Sequence, residues 1–437
     1  MSYQQSTALP GAAASTSFED STYSKVTWRL IPFLFLCYVV AYLDRVNVGF
    51  AKLHMLKDLN FSETAYGLGA GIFFIGYFFF EVPSNVLMHK VGAKVWIARI
   101  MITWGLISGA MMFVSTPLHF YMLRFALGIA EAGFFPGIIL YLTYWYPAQR
   151  RGKMVALFMC ANPVSGVIGG PLSGWIMASF AGVAGLTDWQ WLFVIEAIPS
   201  IIVGIVVLFY IDDSIDKAKW LDADEKKVLA ENIRLDSHQK EDHSVFEIFK
   251  NGKVWFMCLI HFCLVMGNYG IGFWLPSIIR STGVKNPLDI GLLTMIPYSA
   301  AIVAMILISR SADRHNERRW HLAIPAVIGG CGLVFSVLYG DNTALAMAGL
   351  AVGTAGIIAA LPVFWSLPTA FLGGTAAAAG IAWINSVGNL AGFVSPYMIG
   401  WIKDLTQSTN NGIYSLVFML FLGAVLALLV PKHLVSK

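Results

Sequence analysis

The segment Tyr38-Val-Val-Ala-Tyr-Leu-Asp-Arg-Val-Asn47 lies in the second half of a long apolar run, about Trp28 to Gly49, and sets an adjacent Asp44 and Arg45 inside it. The run has the length of a helix that crosses a bilayer. A charge in such a helix costs roughly 2.5 to 3.5 kcal/mol even on lenient insertion scales, so it marks a path for an ion or a polar solute. On a helix Tyr38, Tyr42 and Arg45 share one face. Two phenols and a guanidinium turned the same way can hold a carboxylate by paired hydrogen bonds while the rings cover its apolar part. The plainer reading pairs Arg45 with Asp44 or lets it snorkel to an interface.

Outward from this run the whole chain has the same character. Of 437 residues 57% are hydrophobic and 12% charged, and the mean hydropathy is +0.68, which excludes a string of soluble domains. Twelve apolar segments of spanning length follow one another, at about 28–49, 65–88, 94–114, 117–143, 153–180, 189–211, 253–280, 288–309, 321–340, 342–366, 373–401 and 410–431. Pro83, Pro136, Pro163, Pro171, Pro276, Pro362 and Pro396 predict tilts and kinks among them. Residues 1–24, rich in Ser, Thr, Ala and Gln, predict a disordered tail rather than a signal peptide. The five cysteines fall in apolar segments without CxxC spacing or a histidine cluster, and read as small core residues; no metal site is expected.

Lys and Arg are distributed unequally. The two tails and the connections after even-numbered spans hold 21 of them, the other connections hold 5, and Arg45, Arg99 and Arg124 lie within spans. Both termini are therefore expected in the cytoplasm, with the chain in a bacterial plasma (inner) membrane. The one sizeable polar stretch, residues 212–252, predicts a solvated linker with one or two interfacial helices around Ala223 to Leu235. It divides the spans six and six, and a shift of 225 residues lays the basic connection at His89 on that at Arg314. The expected architecture is an all-α membrane protein of twelve transmembrane helices in two pseudo-symmetric six-helix bundles, residues 25–211 and 253–437, with a site near midplane between them.

The fourth span carries Arg124 and Glu131, seven residues and two turns apart on one face. From Lys253 onward no acidic or basic side chain lies deep in a span, so the second half is expected to supply a neutral lid. Candidates are Asn268, Tyr269, Trp274, Trp365, Ser366, Asn385 and Asn389. Asn385 and Asn389 share a face, and either bind a ligand or join helices. Glu81 and Arg99 are read as braces of the basic loop, Glu196 as an interfacial acceptor, and the glycines of Gly166-Val-Ile-Gly-Gly-Pro-Leu-Ser-Gly174 as places of close helix crossing.

Several strings carry a resemblance. YLDRVNVGFAK at Tyr42 to Lys52, EVPSN at Glu81 to Asn85, RFALGIAEAGFFPG at Arg124 to Gly137, YWYP at Tyr144 to Pro147, SADRHNERRWH at Ser311 to His321 and FWSLPTAFL at Phe364 to Leu372 together resemble the anion:cation symporters of the major facilitator superfamily. The resemblance spans all twelve segments. It implies proton-driven uptake of small organic acids of the tartrate, phthalate, galactonate or hydroxyphenylacetate type. It further implies that Arg45 grips the carboxylate, that Asp44 and Glu131 take protons, and that Arg124 pairs with Glu131. Tyr42, Tyr77, Asn162, Trp365, Ser366 and Asn389 would line the pocket. No cofactor beyond the coupling proton, no nucleic acid and no partner chain is implied; the expected partners are the anion, protons and the bilayer, with a monomer as the working unit. Two other functions stand beside this one, a proton-coupled exporter and a non-transporting nutrient sensor. An enzyme is disfavoured because no nucleophile with a base, metal cluster or cofactor loop is present.

Overall fold

Within a bilayer a backbone N–H or C=O finds no water, so apolar runs of this length fold as helices that satisfy their own hydrogen bonds. The structure, a computed structural model, describes residues 10–238, 250–315, 317–368 and 374–431. Eleven described helical stretches are long and apolar enough to cross a membrane: Ser17–Leu59, Glu63–Val91, Ala93–Phe113, Pro117–Thr143, Ala148–Ser179, Asp188–Tyr210, Gly252–Ser281, Pro287–His315, Arg319–Leu338, Thr343–Trp365 and Thr409–Leu429. One further crossing, eleventh in chain order, is built from two helices, Gly374–Asn389 and Ala391–Thr406, set end to end. The twelve spans form two six-helix bundles. An even number of crossings brings both ends of the chain and the linker to one face, here called the terminal face; the opposite is the far face.

The amino-terminal tail differs from expectation. The first helix already begins at Pro10, so residues 10–24 are helical, and residues 1–9 lie outside the described part. The cause is tertiary. Tyr23 is buried and stacks on Tyr146 at 5.9 Å, Arg150 lies over its ring, and Asn232 of the linker helix donates to its hydroxyl. Lys25 pairs with Glu225 at 2.7 Å. The linker helix Ala223–His238 is thus docked on the first bundle, with Leu229 fully buried, rather than merely solvated. The Tyr146 phenol in the connection before the fifth span is pushed up to about 12 by burial, against a bond from Thr27.

Among the described residues the α-helix is interrupted at Asn47, at Ala132–Gly133, at Cys160 and at Leu390, within the first, fourth, fifth and eleventh spans. Two of these breaks fall where a proline four residues on has no N–H to give, Pro136 for the carbonyl of Ala132 and Pro163 for that of Met159. Gly133 turns the chain at φ +86°, two residues after Glu131. Pro83, Pro171, Pro276 and Pro362 sit inside continuous helices.

The halves pack most extensively along two helix pairs, the fifth with the eighth and the second with the eleventh. In the first pair backbones touch: a Cβ on Gly170 would stand 2.7 Å from the carbonyl oxygen of Gly291, and one on Gly174 would stand 2.4 Å from that of Pro287. The glycine run therefore serves close crossing, as its sequence suggests. Charges fasten the far face. Lys52 pairs with Glu63 at 2.7 Å, Lys403 pairs with the same carboxylate, and Asp404 accepts the backbone amides of Glu63 and Thr64 at 3.2 and 2.7 Å. Asp404 thereby puts an anion from one half on the N-terminus of a helix in the other.

All five cysteines are free; Cys37, Cys258 and Cys263 are buried as expected, while Cys160 is half-buried and Cys331 faces outward.

Candidate functional site

Arg45 is the last residue but one before the break at Asn47 and lies between the halves, 6% exposed. Its Nη2 forms an ion pair with Oε1 of Glu131, which the bend at Gly133 leaves at the end of its helix. Its Nη1 donates to the Tyr269 hydroxyl at 3.4 Å, and that hydroxyl donates to Oδ1 of Asn389 at 3.3 Å. The rings of Phe73, Tyr77 and Tyr42 stand 5.3, 5.6 and 5.8 Å from the guanidinium carbon, within cation–π range. One cation is thus shared among the first, second, fourth, seventh and eleventh spans, and its neutral partners in the second half are the lid residues Tyr269 and Asn389.

Other candidates fall elsewhere. Arg124 does not pair with Glu131: its Nε and Nη2 donate to the carbonyls of Gly69 and Ala70 at 3.2 and 3.1 Å, and it faces the Phe73 ring. Side chains two turns apart on one helix share a face, but the second span packs closely enough to take the guanidinium first. Asp44 points about 100° away from Arg45 round the helix, into the first bundle. There it accepts Trp104 Nε1 at 3.0 Å, Ser108 Oγ at 2.8 Å and the Ser200 hydroxyl. Tyr38 stacks on Phe158 at 4.7 Å, with its ring edge to Tyr42. Asn162 follows the break at Cys160, half-buried, with Oδ1 unpartnered.

Trp365 packs on His261 at 4.8 Å, about two turns nearer the terminal face than Tyr269, and Ser366 ends the tenth span with its carbonyl held by Arg318 at 3.0 Å. These two therefore sit apart from Arg45. Trp274 belongs to the far face, where Lys52 Nζ lies 3.2 Å from its ring centroid.

Glu81 does not brace the basic loop. It accepts Ser386 Oγ at 2.9 Å and Asn385 Nδ2 at 3.4 Å, joining the second span to the eleventh. Its place four residues after Tyr77, on the same face, was the available signal. Arg99 stacks on Trp96 at 3.9 Å, and the basic loop is held instead by Asp213, which accepts the Lys94 amide at 2.9 Å.

A twelve-span bundle pair with a charged, ring-lined contact between its halves defines a solute transporter of the membrane. The Major Facilitator Superfamily model matches residues 34–396, and the chain belongs to that family. It is 50% identical over 98% of its length to all of NicT of Pseudomonas putida, provisionally named a metabolite transport protein. It is 46% identical over 96% of its length to 93% of a protein of Agrobacterium vitis provisionally named a tartrate transporter. A quinolone resistance transporter of Acinetobacter baumannii is 42% identical, over 95% of this chain and 96% of that protein. The crystal structure of a D-xylose–proton symporter superposes with a TM-score of 0.72 at 15% identity, covering 94% of this chain and 99% of that one, a likeness of fold.

Proposed function

We propose that this transporter takes up a small organic carboxylate together with protons. The observation that carries the reading is the Arg45–Glu131 pair. A guanidinium already neutralised by a carboxylate offers little to an incoming anion; a proton on Glu131 releases it, so that proton and anion each favour the other's binding. The loaded site is then near neutral, and closing apolar walls around it costs less. Residues 25–211 and 253–437 would rock as units about the linker 212–252, exposing Arg45 to either face in turn. The charge count supports a cytoplasmic terminal face in a bacterial inner membrane, and uptake would follow the inward fall of the proton. Tyr42, Tyr77 and Asn389 would flank the anion, and Asn162 would offer it a further acceptor. No further cofactor and no second subunit enters the scheme.

The provisional names of the relatives from P. putida and A. vitis fit this class. The test is binding of tartrate and of aromatic carboxylates to purified protein at two pH values. Tighter binding at the lower pH, absent in Glu131→Gln, supports the reading, and pH-independent binding by the wild type refutes it. Efflux by proton exchange is favoured by the name of the A. baumannii relative; protons and anion entering proteoliposomes together would exclude it.

A further inference from the structure

Between the halves the first, fifth, seventh and eighth spans leave a cavity of about 20 Å³, room for roughly one water molecule. Leu43 and Val46, on either side of Arg45 in the sequence, line it together with Gly166 and Gly170 of the fifth span and Tyr298 of the eighth. Four of the lining side chains carry a hydroxyl, and three of these are spent on the protein itself. Ser165 donates to the Asn162 carbonyl, Thr294 to that of Gly291 and Ser173 to the Glu196 carboxylate, each at 2.6 Å. The fourth is Tyr298. It is 7% exposed, and among the described residues its hydroxyl has no hydrogen-bond partner. Leaving such a group unsatisfied costs about 1–3 kcal/mol, which a bound partner would return.

The Tyr298 ring is fixed in place. Its base rests on Gly166, where a Cβ would stand 2.5 Å from the ring, so a side chain at 166 would displace it. Its hydroxyl end comes within electrostatic reach of Tyr42. Round the first helix Tyr42 lies between Arg45, about 60° to one side, and Val46 and Leu43, about 40° and 100° to the other. The Tyr42 ring therefore separates the guanidinium, 5.8 Å away, from the cavity that Tyr298 lines. A cation, an aromatic face and a lone donor at a hydroxyl-sized space follow one another in that order. They match a molecule with a carboxylate at one end and a hydroxyl at the other.

We propose that Tyr298 is a specificity-determining residue of the anion site, its hydroxyl bonding the distal hydroxyl of a carboxylate held on Arg45. The inference rests on the reading of Arg45 as the carboxylate group's partner. A site that offers a buried hydrogen-bonding group discriminates against an analogue that lacks the matching hydroxyl, because the group is then left unpaired. The contact also joins the halves. Arg45 belongs to the first bundle and Tyr298 to the second, so a hydroxy acid is gripped by both, whereas its deoxy analogue is bonded at one end only.

The experiment uses purified full-length protein in lipid nanodiscs and acids that differ by one distal hydroxyl, 4-hydroxybutyrate against butyrate and 4-hydroxyphenylacetate against phenylacetate, with tartrate alongside. Binding is measured by calorimetry for wild type and Tyr298→Phe. The variant keeps the ring on Gly166 and removes a hydroxyl that holds nothing in the protein, and matching thermal unfolding confirms its fold. The readout is the ratio of affinities within a pair, since a structural defect weakens both members alike and leaves the ratio unmoved. In the wild type the hydroxylated member of at least one pair should bind about tenfold more tightly, and in Tyr298→Phe that ratio should fall to about one. A wild-type ratio near one in both pairs, a ratio that survives in Tyr298→Phe, or binding of tartrate and none of the four acids overturns the proposal and leaves Arg45 in place. If the wild type binds none of the five acids, the reading of Arg45 and this proposal fall together.

Discussion

Replacing Glu131 by Gln tests the coupling most directly, because it swaps a charged partner of Arg45 for a neutral one of nearly the same shape. In the wild type the ion pair is buried, with the two side chains 8% and 1% exposed, so an anion must displace the carboxylate. A hydrogen bond to a charged group contributes about 1.5–3 kcal/mol. Removing the competitor should therefore tighten anion binding by about 10- to 150-fold at a pH where Glu131 is ionised. At low pH, where the wild-type Glu131 is itself protonated, the two proteins should converge. The variant can bind an anion and carry it across, but it has no proton to release. In proteoliposomes it should exchange tartrate for tartrate at full rate and fail to accumulate it against a gradient when a pH difference is imposed. Calorimetry at two pH values and paired counterflow and uphill assays on one preparation give the answer. Retained uphill accumulation would refute the assignment of the proton to Glu131, and loss of counterflow would reduce Glu131 to a structural partner of Arg45.

Arg45→Lys should lose saturable uptake although the charge remains, since an ammonium cannot reach Glu131, Tyr269 and a bidentate anion with one fork; wild-type affinity in a binding assay would remove Arg45 from the site. Glu81→Ala should destabilise the protein by about 1.5–3 kcal/mol in thermal unfolding through the loss of the Ser386 and Asn385 bonds, while Glu81→Gln, which keeps an acceptor, should lose clearly less. In a cysteine-free background, an impermeant thiol label should reach a Cys at Asp341 from outside and one at Lys227 only after permeabilisation; the opposite pattern would invert the transport direction. Asp404 accepts the amides of Glu63 and Thr64 across the far face, so labelling of a Cys at Thr406 should rise in Asp404→Ala, and unchanged labelling would remove Asp404 from the fastening.

The bundle architecture was legible because it rests on hydrophobic length, which is local. That Arg45 would sit among aromatic rings was legible for a related reason, since Tyr38, Tyr42 and Arg45 recur at helical spacing, and the structure sets the Tyr42 ring within 5.8 Å of the guanidinium. Pairings were less legible. Spacing on a helix gave Arg124 and Glu131 one face but could not say that the carbonyls of Gly69 and Ala70 lay nearer to Arg124 than the carboxylate did. Asp44 beside Arg45 suggested a pair, yet adjacent helical residues diverge, and three donors from the third and sixth spans were out of sight of the sequence. Trp365 and Ser366 were placed by motif, and a motif does not fix depth along a helix. The helical start at Pro10 escaped because Tyr23 finds its packing partners beyond residue 140.

The distribution of charge suggests how the two halves could be made to move in concert. Among the described residues the buried cations Arg45 and Arg124 both belong to the first bundle, and at the Arg45 cluster the second bundle touches it through neutral groups, Tyr269 and Asn389. Neutral contacts of this kind are weak enough to be exchanged for contacts to a bound anion, whereas an ion pair across the halves would lock them. The far face shows the contrast, since there Lys52, Glu63, Lys403 and Asp404 do cross between bundles and hold them closed. An anion on Arg45 that drew Tyr269 and Asn389 inward would tighten the centre without adding a charge to the second bundle. Opening the far face then requires that the partly exposed contacts of Lys403 and Asp404 to the second span be parted, while the buried Arg45–Glu131 pair stays within one half.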